Sequence, residues 1–367
     1  MNQLTIRIAL IGTGGIASAH VQAVADQAAY KSAQAGTAVE LVAAVDIDAA
    51  RLDAFCDKYE IAQRYTDVAT MLEQMQPHVV MIATPPFTHC DLAVQCMDAG
   101  AWVLCEKPLC ASLAEMDRIE AAEARNGVYC SSVFQWRFGS GGAHLKRLIA
   151  QNALGRPLVG TALITWFRTP EYYAVPWRGK WATELGGTTV THGIHAFDFV
   201  LWLLGEWQEV RAMTGTLDRA IEVEDVAMAL VRLANGAMIT LTSSVLSPRQ
   251  ASYLRFDFQK ATVELTTLYG YRNVHWRYAI AENAPYADEL AQWQDLPPER
   301  AASHGSQLTA FLASRAAGER PAASGPDVRG TIEFLSSLYK AAQTGQPVQR
   351  GEIDQADPFY GKLGGSR

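Results

Sequence analysis

Ile6-Arg7-Ile8-Ala9-Leu10-Ile11-Gly12-Thr13-Gly14-Gly15-Ile16-Ala17 is the stretch whose reading decides the fold of the first part of this chain. Residues 6–11 form an aliphatic run broken only by Arg7 and Ala9, which reads as a buried strand. The next six residues spell G-x-G-x-x-A. Gly12 suits a tight turn, Gly14 lets the backbone approach a pyrophosphate, and Ala17 lets the following helix pack closely on the strand. A helix N-terminus adds free N–H groups. Gly12, Thr13, Gly14, Gly15 and Ile16 are therefore candidate dinucleotide contacts.

Working outward, a second strand, Val39 to Val45, ends on Asp46. A carboxylate there can accept from adenosine ribose hydroxyls, which favours NAD and disfavours NADP. The other reading of Asp46 is an N-cap for a helix over Ala49 to Lys58, a role open to Asp48 as well. The glycines lie further from Asp46 than the usual ~20 residues, which points to an irregular insertion over Asp26 to Thr37. Arg51, one helical turn in, is expected to pair with Asp48 or solvent. The buried strand His78 to Ala83 runs into Thr84-Pro85-Pro86-Phe87-Thr88-His89. Thr84 and Pro85 are candidate cofactor contacts. Thr88 is a candidate cap, and His89 is either a partly exposed first-turn histidine or a further cofactor contact. Ala101 to Cys105 is another short apolar strand, followed by Glu106-Lys107-Pro108. Lys107 thus stands at the carboxyl end of a parallel strand, the edge of an open α/β sheet where ligands bind. A helix over Ser112 to Arg125 and a strand over Val128 to Phe134 complete a doubly wound β/α array, assigned to residues 1–131.

Beyond residue 131 the pattern becomes β-rich: Leu158 to Phe167, Val210 to Thr216, Val226 to Leu233, Ala237 to Val245, Tyr253 to Phe258 and Ala261 to Thr267. Ala234-Asn235-Gly236 joins two of these runs as a hairpin. Residues 316–326 read as a loop before a last amphipathic helix over Val328 to Thr344. The fold expected is α/β: an N-terminal Rossmann domain with a doubly wound parallel sheet, and an α+β domain over 132–367 with a large, mainly antiparallel open sheet. Ala237 to Val245 alternates apolar with small hydroxyl residues where a solvated face would carry charge. That predicts a homodimer or homotetramer assembled through the C-terminal sheet.

The 367 residues suggest two domains. A hydrophobic fraction of 49%, a charged fraction of 19% and a formal net charge of -7 argue against a nucleic-acid partner. No apolar run approaches the roughly 20 residues of a membrane span, and no secretory leader is evident. The expected location is cytoplasmic. The six cysteines all precede residue 131 and none are spaced C-x-x-C, so reduced thiols are expected and a zinc site is not.

Glu184 to Asp198 is the second informative stretch, with Gly186-Gly187 and then His192, His195 and Asp198 three apart. Helical spacing would set these three on one face, an acid/base set together with Lys107. A metal on that face is not expected, since no further carboxylate or cysteine lies close in sequence. Gln135-Trp136-Arg137-Phe138 leaves the last Rossmann strand, and Tyr172, Tyr173, Trp177, Arg178 and Lys180 sit in a Pro-flanked loop. The expected substrate contacts are Lys107, Gln135, Trp136, Arg137, Trp177, Arg178, His192 and His195.

G-x-G-x-x-A at Gly12 to Ala17, T-P-x-x-x-H at Thr84 to His89, E-K-P at Glu106 to Pro108, and G-G followed by G-x-H-x-x-D at Gly186 to Asp198 together resemble one family. It is the glucose-fructose oxidoreductase, inositol dehydrogenase and rhizopine-catabolism (Gfo/Idh/MocA) family, and the resemblance covers nearly the whole chain. It implies hydride transfer at a sugar or polyol carbinol carbon, with Lys107 and His195 at the reacting hydroxyl and Glu106 near the nicotinamide ribose. Members often carry an aspartate four residues before the catalytic histidine, where this chain has Thr191. A hydroxyl cannot stabilise imidazolium as a carboxylate can, so Lys107 or His192 is expected to share the work of His195. The function expected is an NAD-dependent sugar or polyol dehydrogenase. The alternatives are an NAD-retaining glycoside-cleaving enzyme that oxidises the sugar transiently, and a non-catalytic NAD-dependent sensor.

Overall fold

A computed structural model describes residues 5–34 and 38–366. They form two compact units, Met1–Cys110 with Glu115–Val133 and His304–Val328, and Ala111–Ala114 with Phe134–Ser303 and Arg329–Arg367. A single cut after residue 131 assigned 304–328 to the second domain; in the structure that segment belongs to the first. The reason is packing: the helix His304–Ala317 lies against the first helix of the chain, and Phe311 meets Trp102 edge-on.

In the first unit β1 (Ile6–Ile11), α1 (Ala17–Gln34), β2 (Val39–Val45), α2 (Ala49–Tyr59), β3 (Gln63–Tyr65), α3 (Val68–Met75), β4 (Val79–Ile82), α4 (His89–Asp98), β5 (Trp102–Cys105), α5 (Leu113–Asn126) and β6 (Cys130–Ser132) alternate as expected. Six parallel strands run in the order β3-β2-β1-β4-β5-β6. Chain direction across the sheet reverses at β1, the switch point where such sheets bind ligands. Register aligns Ile11 with both Val45 and Ile82, and Ile82 with Cys105. Gly12, Asp46, Ala83 and Glu106 therefore leave the sheet along one edge. The central strands β4 and β5 are apolar because helices cover both faces; Ile8, Leu10, Val79 to Ile82 and Val103 are fully buried. Residues 26–34 are helix rather than an irregular insertion: α1 runs on to Gln34, and this longer helix accounts for most of the wide glycine-to-Asp46 spacing. Residues 35–37 lie outside those described.

The second unit contains α6 (Ser140–Ala150), β7 (Pro157–Phe167), α7 (Trp181–Glu184), α8 (Ile194–Leu204), β8 (Trp207–Gly215), β9 (Val226–Leu233), β10 (Met238–Ser244), β11 (Leu246–Phe258), β12 (Thr262–Leu265), β13 (Trp276–Ala279), α9 (Ala287–Gln294), most of α11 (Pro326–Thr344) and β14 (Val348–Gln349), with α10 (His304–Ala317) the helix described above. Its eight strands run β13-β12-β11-β7-β10-β9-β8-β14, antiparallel except for β10 beside β7. Ala162, Ile164, Val231, Ile239 and Leu241 fill one face, against which α8 packs. The opposite face leaves Met213, Met228, Leu230 and Met238 more than half exposed. The six cysteines are buried and free. Among the described residues no helix is long and apolar enough to cross a membrane.

Candidate active site

The first unit gathers its candidate residues on the shared strand edge. Gly12 has φ +92°, and a Cβ there would lie 2.8 Å from the carbonyl carbon and oxygen of Ala83. Only glycine lets β1 turn this close to β4. Gly14, Gly15 and Ile16 are exposed, and nothing lies within 4 Å of a Cβ built on either glycine. That leaves an open backbone cradle ahead of α1, with the shape and donor chemistry a pyrophosphate needs.

Thr13 turns away from the cradle: its amide and its hydroxyl donate to Asp46 Oδ2 at 2.8 and 2.7 Å. Asp46 is not the cap of α2. Asp48 caps it, accepting the Arg51 amide at 3.0 Å. Arg51 does not turn to solvent either. Its guanidinium folds back onto Asp46, with Nη2 2.6 Å from Oδ1 and Nε 3.1 Å from Oδ2, and it also reaches Asp48 at 3.3 Å. Burial pushes the Asp46 carboxyl up, but the Arg51 guanidinium, the Asp48 and Thr13 amides and the Thr13 hydroxyl outweigh it and hold it at about 2.

Thr84 and Pro85 stand half-buried at the end of β4. Thr88 donates to the Pro85 carbonyl at 2.8 Å, so its 2.7 Å contact with Thr84 takes the Thr84 proton. Thr88 makes no side-chain cap. His89 is not partly exposed. It is buried, with Nδ1 2.7 Å from the Pro108 carbonyl and Nε2 2.9 Å from the Thr84 carbonyl. It ties the loop after β4 to the turn after β5.

Glu106 lies in a setting the sequence left invisible. Its Oε1 accepts from Nε2 of His20 at 3.0 Å and from Nε2 of His304 at 2.9 Å, while Oε2 faces the Lys107 amide at 3.4 Å. Burial pushes the Glu106 carboxyl up, and the two imidazole donors override this and hold it well below its usual range. Burial pulls His20 down. These three side chains bring their donor atoms within 4.8 Å of one another, a two-histidine, one-carboxylate set that could hold a divalent ion. However, a metal-bound imidazole normally donates its other nitrogen to a partner, and His20 Nδ1 is buried with none. The hydrogen-bonded trio is the better account. Lys107 follows, half-buried at the end of β5.

In the second unit Gly187 makes the decisive close approach. A Cβ there would fall 1.7 Å from the Glu224 carbonyl oxygen. Buried Glu224 takes the Gly187 and Thr189 amides at 3.0 and 2.9 Å and the Tyr339 hydroxyl at 2.9 Å. From this anchor the chain makes a π turn over Thr189–Gly193 before α8. The extra residue takes His192 out of the regular helical spacing, while His195 and Asp198 keep theirs within α8. Such turns recur at functional sites.

His195 is buried and stacks on Trp136 with ring centres 5.1 Å apart, with Tyr269 edge-on at 5.5 Å. Trp136, expected to touch substrate, is 1% exposed and serves as the floor beneath His195. Gln135 is buried beside it, its Oε1 without a partner. Arg137 was expected to meet substrate and Asp198 to join the histidines. Instead they form a buried bidentate pair, Nε to Oδ2 at 2.8 Å and Nη2 to Oδ1 at 2.6 Å, with the Thr331 hydroxyl 3.0 Å from Oδ1. Arg137 is sequestered because a buried guanidinium needs a carboxylate and α8 supplies one.

His192 is buried, its ring edge-on to Trp166 at 5.1 Å and 6.3 Å from Tyr172. Thr191 Oγ1 lies 2.8 Å from the Gly187 carbonyl and 2.7 Å from His192 Nδ1. A carbonyl only accepts, so the hydroxyl proton goes to Gly187 and Nδ1–H of His192 donates to Thr191. In the neutral ring Nε2 then carries the lone pair. Thr191 thus orients His192. Arg178 lies 3.9 Å from the Tyr172 ring centre and 4.3 Å from that of Trp177, and pairs with buried Glu184 at 3.0 Å. Trp177 and Arg178 thus brace one another in the Pro-flanked loop.

Residues 6–134 match the oxidoreductase family model for an NAD-binding Rossmann fold, GFO_IDH_MocA, and residues 143–264 match the GFO/IDH/MocA C-terminal domain. Inositol 2-dehydrogenase of Salmonella typhimurium is 29% identical over 213 residues, 55% of this chain and 56% of that one. The chain therefore spans little more than half the length of that relative. D-apiose dehydrogenase of Paraburkholderia graminis is 27% identical over 95% of this chain and 91% of its own. Among solved structures, the WlbA dehydrogenase from Bordetella pertussis in complex with NADH and UDP-GlcNAcA is 26% identical with a TM-score of 0.82, covering 95% of this chain and 100% of that one. With both domain types matched in order along its length, this chain belongs to the Gfo/Idh/MocA family of oxidoreductases, whose N-terminal domain is an NAD-binding Rossmann fold.

Proposed function

We propose that this chain is an NAD-dependent dehydrogenase that oxidises a secondary hydroxyl of a sugar, sugar derivative or polyol, or reduces the corresponding ketone. The observation that carries the reading is Lys107, half-buried at the end of β5 beside a Glu106 locked by two imidazoles, on the edge that holds the Gly12 turn and Asp46. The dehydrogenases among its relatives support the substrate class. NAD, when bound, supplies the hydride acceptor. Gly14 and Gly15 would offer amides to its phosphates, and Asp46 would accept from its ribose. The chain's own task is to hold the carbinol and take its proton. Lys107, His195 and His192 are the groups proposed for this, with His192 Nε2 kept as an acceptor by Thr191. A panel of sugars and polyols with NAD, read as NADH absorbance, tests the proposal. Stoichiometric NADH supports it, whereas aglycone release without NADH would favour a glycoside-cleaving enzyme.

Cofactor choice follows from Asp46. Its carboxylate would repel a 2′-phosphate, and the nearest cation, Arg51, is already paired with it. We expect kcat/KM with NAD to exceed that with NADP by about 10-fold or more, roughly 1.4 kcal/mol. Asp46→Ser should narrow or reverse the gap, since it removes the repulsion and frees Arg51; equal use of both cofactors by the unmutated protein would defeat this reading. Held at about 2, the Asp46 carboxyl titrates below the usual aspartate range. Its stabilising contribution is therefore complete above the unfolded value and is lost only as pH falls toward 2, so the preference should be flat from about pH 5 to 9.

Assembly follows from the open face of the second sheet, where Met213 stands opposite Met228, Leu230 flanks Thr240, and Met238 lies beside Val159. Met213 is 78% exposed and Leu230 60%. An apolar face of that extent favours self-association, and we propose a two-fold dimer, or a pair of such dimers, packed through it. Light scattering at micromolar concentration should give at least twice 40.0 kDa; a single monomeric species would rule this out.

A further inference from the structure

Three arginines surround the aromatic cluster beside His192, and their charges are not matched alike. Arg178 pairs with Glu184 at 3.0 Å, and Arg219 pairs with Asp218. Of the other local carboxylates, Asp225 is fully buried and accepts the Leu217, Asp218 and Arg219 amides at 2.8 to 3.0 Å, and the exposed Glu171 turns to Thr169 and Arg219. Among the described residues Arg168 forms no ion pair with a carboxylate. Its Nη1 donates to the carbonyl of its own neighbour Phe167 at 3.1 Å, and its Nε is buried with no partner. A half-buried guanidinium with a buried, unmatched donor is costly to keep, and in a chain of net charge -7 it is not part of a general cationic surface.

Its placement is defined on both sides. The Arg168 amide donates to the Val245 carbonyl at 2.9 Å, and the Arg168 carbonyl accepts from Arg219 Nε at 2.8 Å, which pins the backbone. The guanidinium lies 4.8 Å from the Trp166 ring centre and 5.2 Å from that of Tyr172. These are the two rings that flank His192, at 5.1 and 6.3 Å. The unmatched cation is thus one aromatic ring away from a histidine whose Nε2 lone pair is set by Thr191.

We propose that Arg168 binds a carboxylate of the substrate, so that the sugar class oxidised is an acid, an aldonate or a uronate, with the hydroxyl end near His192. A planar guanidinium fork matches a carboxylate in two parallel bonds, and aromatic walls on both sides hold it in one orientation. This rests on the dehydrogenase reading for the chemistry, but binding tests it without turnover.

Calorimetric titration of the full chain with NADH present would compare aldonates and uronates with their neutral counterparts, gluconate against glucitol and glucuronate against glucose among them. The acids should bind at least 10-fold more tightly than the matched neutral compounds, and the difference should shrink as salt rises. Arg168→Met should abolish that preference while leaving neutral-sugar affinity within about twofold, and Arg168→Lys should restore part of it. Equal affinity for acid and neutral partners, no acid binding at millimolar concentration, stronger binding of glucose 6-phosphate, or an Arg168→Met variant that keeps the preference would each overturn the proposal. Retained acid preference without NADH formation from NAD would leave the binding site standing and overturn the dehydrogenase reading alone.

Discussion

Lys107→Ala should lower kcat by about 10² to 10⁴, the range for loss of a positioned general acid or base. The substitution removes the amine at the end of β5, while the neighbouring Glu106 stays fixed by His20 and His304. It should not disturb the fold. β5 is buried and paired on both sides before Lys107 is reached, and His89 grips the Pro108 carbonyl after it. NAD affinity, followed by quenching of protein fluorescence, should therefore stay within a few fold of the original. A kcat close to normal would remove Lys107 from the chemistry, and a large loss of NAD affinity would make it a cofactor ligand instead. His192→Gln, paired with Thr191→Val, gives the complementary measurement. If Thr191 acts through His192, the two changes together should cost little more than the first alone.

The second large effect is on stability. Arg137→Met should destabilise the second unit by about 3 to 5 kcal/mol, because it leaves Asp198 charged and buried. Both side chains are nearly inaccessible, 5% and 1% exposed. After the substitution the Thr331 hydroxyl stays 3.0 Å from Oδ1, and a hydroxyl is a poor substitute for a bidentate guanidinium. The midpoint of thermal unfolding should fall by roughly 6 to 20 °C, taking about 2 to 4 °C per kcal/mol for a unit of this size. Replacing both residues, Arg137→Met with Asp198→Leu, should recover most of the loss, since it removes the buried charges together. A single variant that melts with the original protein would show that Asp198 is solvated or neutral in the folded state. Activity measured well below the midpoint separates this from a role in binding: a structural pair should leave KM nearly unchanged.

The parts of this protein readable from sequence are those set by neighbours along the chain. Strand Ile6–Ile11 followed by Gly12, Gly14 and Ala17 specifies a turn and helix by local sterics. The apolar runs at Val79–Ile82 and Trp102–Cys105 announce strands covered on both faces. Lys107 could be placed at a strand end for the same reason, whereas the approach of Gly187 to Glu224 came only from the fold. What the tertiary structure decided concerns groups far apart in sequence competing for the same partners. Periodicity carries no term for such competition. Asp46 meets Arg51 because the Asp48 cap turns the helix so that the guanidinium returns to the strand end. His89 becomes a buried tie because two carbonyls, one from each of two loops, converge on it. Glu106 draws His20 from 86 residues upstream and His304 from 198 residues downstream, and the latter required α10 to pack with the first unit. Arg137 turned inward to Asp198, while Arg168, not singled out among the arginines, turned to the Phe167 carbonyl. A buried charge is stable only beside its counter-charge, and where that counter-charge stands is settled by how the elements pack.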